Sequence, residues 1–292
     1  MKLSTSLNVY GSRCGGTSVE AYLETVKRAK KCGFKTFDFN CGNYEQQGSW
    51  YKVDNWRDNV KKIKEAADEM GVEFYQSHAA MFTEIITENT EEMFAETYRS
   101  IEAAALAGAK WTAIHCYSTG IADEEEDIKK NIELLTPYAE FASKMGIGLA
   151  VENNPERIHW YGEVMPQGNF HKTENIIRVS DALNERFGNV GVCWDTGHAN
   201  LTFKNQYDEL IKLGKRLKIM HIADNYNQHD DHMPPFYGLT DFKQIMKALK
   251  DIGYEGTFNY ETHKFTSELP DELIDDAVKL MYKIGEYIVN NY

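Results

Sequence analysis

The sequence has no apolar run long enough to cross a membrane, and its first residues, MKLSTSLNVY, lack the apolar core of a secretion signal. Both absences point to a cytoplasmic protein with no membrane partner. No cysteine pair has the C-x-x-C form or a zinc-finger spacing, and the five cysteines, Cys14, Cys32, Cys41, Cys116 and Cys193, are odd in number. Such a set reads as reduced thiols rather than a disulfide framework. Basic residues are scarce: 32 Lys and Arg face 45 Asp and Glu, for a net charge of -13. That sign disfavours a broad phosphate-neutralising surface and hence nucleic acid as a partner, although a local metal cluster would still engage a phosphodiester. There is no glycine-rich phosphate cradle, no basic stripe with interleaved aromatics, no low-complexity tract and no linker. Residues 1–292 read as one domain, with a homo-oligomer left open.

What is present is a repeat. Gly33, Gly71, Gly108, Gly146, Gly188, Gly214 and Gly253 each follow a helix-like segment and precede a short strand-like one, at intervals of 38, 37, 38, 42, 26 and 39 residues. A period of this size fits one strand plus one helix, and the short interval implies one trimmed helix. Apolar stripes of helical spacing support the assignment: Trp56, Val60, Ile63, Ala67 and Met70; Ile128, Ile132, Leu135, Ala139 and Ala142; Leu273, Ala277, Leu280 and Ile284. Thr17 and Glu20 have capping-box spacing, Pro270 suits a helix start, and Pro137 predicts a kink or break in its stripe. Eight strands follow: Leu3–Asn8, Thr36–Asn40, Glu73–His78, Trp111–His115, Gly148–Glu152, Val190–Asp195, Leu217–His221 and Gly256–Glu261. Strands alternating with helices predict an α/β fold, a parallel (β/α)8 TIM barrel with an outer ring of helices. The long segments Cys41 to Asn55, Asn153 to His171 and Ala223 to Thr240 follow strands, so they open at the C-terminal face, where barrel active sites lie.

Strands three to eight end in His78, His115, Glu152, Asp195, His221 and Glu261. An apolar strand that stops at a carboxylate needs a cation for it, since burying an unpaired charge is costly. Three histidines and three carboxylates at one rim form a metal-site composition, and mixed N/O ligands suit Mn, Mg, Co or Zn. Two residues earlier on each strand, Gln76, Ala113, Ala150, Cys193, Ile219 and Asn259 should point inward beneath that rim. His198 follows Asp195 by three residues. Asp224 is either a carboxylate behind His221 or a loop cap, and Asp230 with His232 is either a site pair or a solvated turn. His159, His171, His229 and His263 lack strand-end logic and read as surface residues. Tyr10, Tyr44, Trp50, Tyr51, Phe82, Trp160, Tyr161 and Trp194 either wall a pocket at that face or pack the long loops.

The segments LAVENN, CWDTGHAN, KIMHIAD, DDHMPPFYGLTDF and NYETH resemble the xylose isomerase-like TIM-barrel superfamily of sugar (phosphate) isomerases and epimerases and apurinic-site endonucleases. Similarity to its ketose 3-epimerase branch implies one divalent metal on Glu152, Asp195, His221 and Glu261, with Glu152 and Glu261 also catalytic as base and acid. The implied activity is isomerisation or epimerisation of a small carbohydrate by proton transfer; a keto-inositol-type dehydratase and a non-catalytic sugar-binding barrel are alternatives. The endonuclease branch implies a multi-zinc cluster, with His78, His115, His198, Asp230 and His232 as further ligands; in the sugar enzymes these positions meet substrate or an additional metal. Two departures stand out. Asn227 occupies the position where tagatose- and psicose-type epimerases carry Arg, and Phe236 and Tyr237 replace a glycine-rich turn.

Overall fold

A computed structural model describes residues 1–13, 18–39, 49–80, 90–160, 163–166, 168–202 and 205–292, with backbone alone for 12–13, 90, 157–160 and 163–166. The strands are β1 (Lys2–Ser6), β2 (Thr36–Phe39), β3 (Glu73–His78), β4 (Trp111–His115), β5 (Gly148–Glu152), β6 (Arg157–Trp160), β7 (Glu163–Pro166), β8 (Val190–Asp195), β9 (Leu217–His221) and β10 (Thr257–Tyr260). Eight of them form a parallel sheet in the order β10-β1-β2-β3-β4-β5-β8-β9. The ends of that sheet meet: Ile222 bridges Tyr260, its N–H donating to the Asn259 carbonyl at 2.7 Å, and Glu261 N–H donates to the Ile222 carbonyl at 3.1 Å. The fold is the expected (β/α)8 barrel. The antiparallel β6–β7 hairpin was not anticipated; it lies within the long segment after β5.

Around the barrel run α1 (Val19–Lys31), α2 (Trp56–Met70), α3 (Thr90–Ala107), α4 (Glu124–Met145), α5 (Thr173–Phe187), α6 (Thr196–Asn200), α7 (Gln206–Leu213), α8 (Phe242–Asp251) and α9 (Asp271–Asn291). All seven repeat glycines have positive φ, from 52° to 123°, a region that other residues enter at a cost. The eight-residue α7 is the trimmed helix of the short interval. Among the described residues no helix is long and apolar enough to cross a membrane.

Three local expectations are corrected. Thr17 lies outside the described residues, and Ser18 caps α1 by accepting from Ala21 N–H at 3.1 Å. Of the kink or break expected at Pro137, the break is absent: α4 continues to Met145, with buried Leu135, Tyr138, Ala139 and Ala142 on both sides of the proline. On α9 the buried stripe is Ile274, Val278, Met281, Gly285 and Ile288, one position round from the anticipated one, and Leu273 and Leu280 are exposed. Gly285 decides between the two faces. A Cβ there would sit 2.8 Å from Leu3 and Tyr260, so only this face comes close enough to cover β1 and β10.

Below the rim, the barrel interior is divided. Ala113, Ala150, Cys193 and Ile219 make a small, fully buried apolar cluster, as the alternation predicts. The opposite side is polar: Asp38, Gln76, Thr257 and Asn259 are buried and hydrogen-bonded to one another. Cys32, Cys116 and Cys193 are free and buried, whereas Cys14 and Cys41 lie outside the described residues.

Candidate metal centre

Parallel strands in register deliver their last residues to one rim, because neighbouring strands sit about 4.8 Å apart. His115 pairs with Glu152 across β4–β5, and Asp195 with His221 across β8–β9. One ligand atom from each of Glu152, Asp195, His221 and Glu261 lies within 4.8 Å of the others, and two more such groups adjoin it: His78, His115 and Glu152; His198, Asp230 and His232. All nine strand-end and loop residues anticipated from the sequence therefore meet at one place.

The imidazoles are aimed by what holds their outer nitrogens. Nδ1 of His78 donates to the Ala79 carbonyl (2.7 Å), Nδ1 of His115 to the Asn154 amide oxygen (2.7 Å), Nδ1 of His198 to the Asn153 carbonyl (2.8 Å) and Nδ1 of His232 to the Glu261 carbonyl (3.1 Å). Each of these rings thus turns Nε2 inward. Asn153 also grips β8 directly, accepting from Asp195 N–H at 2.7 Å and donating to the Asp195 carbonyl at 3.0 Å. His221 is reversed: its Nδ1 faces Glu152 at 2.8 Å and Glu261 at 3.1 Å.

The donor set fits a cation. Nε2 of His78 and Nε2 of His115 face each other at 3.3 Å, and both stand 3.2 to 3.4 Å from Glu152 Oε2. Two inward lone pairs at that separation need a proton or a metal between them and the carboxylate. Asp195 Oδ2 is buried without a hydrogen-bond partner, in a residue with no exposed surface.

The ionisation pattern expresses the same crowding. Burial, opposed by His198 and reinforced by Glu261 and Glu152, raises the Asp195 carboxyl to about 6. Against the upward push of burial, His221 and His115 hold Glu152 well below the usual carboxylate range, and His221 and His232 hold Glu261 at about 2. Burial drives His115 down to about 4, while Asp230 outweighs burial at His232 and lifts it to about 9. Protons on some imidazoles balance the carboxylates here, a balance a divalent ion also supplies.

Other expectations are placed as follows. Asp224 caps the loop: its Oδ1 accepts from Asn225 N–H (2.9 Å) and Thr240 N–H (3.0 Å). The carboxylate behind His221 is instead Asp38, with Oδ2 at 3.7 Å from Nε2. It was missed because it ends no strand, although the acid in TFDF, flanked by phenylalanines, is a readable signal. His263, expected at the surface, packs its ring 4.0 Å from that of His232 and falls to about 4 through burial and its neighbour's charge. His229 is exposed, His171 is half-buried against the Gly168 carbonyl, and the His159 side chain lies outside the described residues. Tyr10, Trp50, Tyr51 and Trp194 are core residues rather than pocket walls, Trp194 donating to Gln206 at 3.0 Å. Tyr44, Phe82, Tyr161 and the Trp160 side chain lie outside the described residues. Phe236, where the resemblance implies a glycine-rich turn, adopts a positive φ of 75° and is exposed.

The model of the family described as xylose isomerase-like TIM barrel matches residues 26–284. The chain belongs to this family. An uncharacterized protein of Sinorhizobium fredii is 37% identical over 91 residues, 30% of this chain and 29% of that protein. A mannonate dehydratase of Thermotoga neapolitana is 24% identical over 251 residues, 82% of this chain and 64% of the dehydratase. The chain thus spans less than two thirds of the length of these curated relatives. Among solved structures, a D-tagatose 3-epimerase-like protein superposes with a TM-score of 0.72 at 22% identity, covering 99% of this chain and 98% of its own. The IolI protein with a binding zinc atom superposes with a TM-score of 0.73 at 18% identity, covering 100% and 99%. These superpositions establish the fold.

Proposed function

We propose that the chain is a divalent-metal-dependent sugar or keto-polyol isomerase or epimerase that works by proton transfer at the carbon beside a carbonyl. The observation carrying this reading is that Glu152, at the end of β5, and Glu261, just past β10, converge within 3.1 Å of one nitrogen of His221. Residues 1–292 are taken as one barrel domain with one such site. Glu152, Asp195, His221 and Glu261 would hold a divalent ion, which would supply Lewis-acid polarisation of a carbonyl and its neighbouring hydroxyl and so make the adjacent C–H acidic. Glu152 and Glu261 serve as base and acid: one carboxylate removes the proton, leaving an enediolate, and the other returns one. Return to the opposite face gives an epimer, return to the neighbouring carbon an isomer, and expulsion of a β-hydroxyl a dehydration product. His198 holds a substrate oxygen, its ring fixed by the Asn153 carbonyl. Epimerases among the structural neighbours and mannonate dehydratases among the sequence relatives support a carbohydrate substrate.

The test is a panel of ketoses, keto-inositols and sugar acids, followed by NMR for solvent deuterium entering the carbon beside the carbonyl. Wild-type protein is expected to exchange and turn over at least one compound, and Glu152→Gln and Glu261→Gln to lose about 100-fold or more with the fold intact. Absence of exchange across the panel would overturn the proposal.

A second reading rests on the adjoining ligand groups, which meet at Glu152 and alongside Asp195. They would suit a multi-zinc, apurinic-site endonuclease-like phosphodiesterase, and the net charge of -13 weighs against it. Three zinc ions per chain with nicking of abasic DNA would favour this second reading; about one divalent ion per chain favours the first.

A further inference from the structure

We infer that Asp38 is a positioning residue for the candidate metal centre, acting through His221; the inference rests on the reading that Glu152, Asp195, His221 and Glu261 hold a divalent ion. His221 differs from the other rim histidines in presenting Nδ1 to the carboxylates. Its Nε2 therefore points down into the barrel, where Asp38 Oδ2 stands 3.7 Å away, roughly half an ångström beyond hydrogen-bond contact. The imidazole is 1% exposed, so water does not reach Nε2 from outside.

Asp38 is built into this place. Gln76 Nε2 donates to its Oδ2 at 3.2 Å and Asn259 Nδ2 at 3.3 Å, while Thr257 Oγ1 donates to Gln76 Oε1 at 2.8 Å and fixes which way that amide faces. Gln76 also donates to the carbonyl of Met220, the residue before His221, at 3.3 Å. β2, β3 and β10 thus converge to hold one carboxylate under β9. Its other oxygen, Oδ1, is buried with no hydrogen-bond partner. A buried carboxylate whose Oδ2 lies beneath an imidazole while its Oδ1 goes unpaired is poorly explained by packing alone. Cys193 Sγ also lies within 4.8 Å of a nitrogen of this ring, and a thiol is a weaker acceptor than a carboxylate.

The role follows from the two tautomers of His221. Without a cation, Nδ1–H donates to Glu152. To ligate a metal, Nδ1 must give up that hydrogen, and the neutral ring then carries it on Nε2, facing Asp38. A carboxylate there accepts the Nε2–H, fixes the ring's orientation and strengthens Nδ1 as a donor. Asp38 acts through His221 and is not itself one of the four proposed ligands.

The experiment compares wild type with Asp38→Asn. Zn2+ affinity is read by chelator competition, and the His221 tautomer by long-range 1H–15N NMR of the Zn2+-loaded protein. We expect Asp38→Asn to bind Zn2+ roughly 10- to 100-fold more weakly at unchanged secondary structure. In Zn2+-loaded wild type, His221 is expected to be protonated at Nε2 and ligated through Nδ1. Equal affinity in the two proteins, or ligation of wild-type His221 through Nε2, overturns the role of Asp38 and leaves the metal site standing. Failure of wild type to bind Zn2+, Mn2+ or Co2+ overturns both. Should Asp38→Asn not fold, the wild-type tautomer decides alone, and Thr257→Val, which frees only the Gln76 amide, is expected to show a smaller loss of affinity in the same direction.

Discussion

Asp195 shows what a strand-end carboxylate costs when no cation is bound. Its folded pKa, about 6, lies above the ordinary carboxylate value of about 3.9, so the folded chain holds the proton more tightly than the unfolded one. The stability from that proton is fully present below the unfolded pKa and is lost as pH rises from about 4 through about 6. Metal-free Asp195→Asn is therefore expected to match wild type in acid and to become the more stable protein towards neutral pH, by about 3 kcal/mol at most. Urea titrations at several pH values in the presence of chelator measure it; a wild-type advantage at neutral pH would contradict the assignment. At this scale the sequence was readable wherever a chemical residue closed an apolar run, as at His78, His115, Glu152, Asp195 and His221. It passed over Asp38 and put His263 at the surface, and the importance of both lies in contacts between strands or loops far apart in the chain. It left Trp194 open between pocket wall and packing; Trp194 is a core residue, sharing a strand with Asp195 but facing the opposite way, as alternation requires.

Among the elements, glycine serves two separable purposes. Gly71 ends α2 at φ 64° with open space where a side chain would go, whereas Gly148 begins β5 at an ordinary φ with a Cβ position 2.2 Å from the Trp111 ring. Gly71→Ala is expected to cost about 1 kcal/mol through backbone strain alone. Gly148→Ala costs about 1 to 3 kcal/mol through overpacking, and Trp111→Leu should recover part of that loss. Thermal denaturation of wild type, the two glycine variants, Trp111→Leu and the two double variants separates the two causes, and equal rescue of Gly71→Ala by Trp111→Leu would count against the distinction. The repeat glycines made the helix ends legible because a left-handed turn has few other residues to use. The face of α9 was not legible: Leu273, Ala277, Leu280 and Ile284 form as regular a stripe as the buried one, and only the close approach at Gly285 distinguishes them. The β6–β7 hairpin escaped notice because four-residue strands carry too little alternation to stand out within a long loop.

For the whole molecule, a cation that binds only the folded chain shifts unfolding by mass action. Mn2+ or Zn2+ at about 100 times its Kd is expected to add about 2.7 kcal/mol to wild type, raising Tm by several degrees, and to add much less to Asp195→Asn. Differential scanning calorimetry with and without chelator is the check; no shift in wild type would remove the metal centre from consideration. The barrel's seam gives this a further meaning. β9 and β10 are joined through Ile222, just past the strand that ends in His221 and just beside Glu261. An ion held by both residues would act as a clasp across the seam. The amides of Ile222 and Glu261 would then exchange their hydrogens slowly when it is closed and quickly when it is not, making this join a built-in gauge of occupancy.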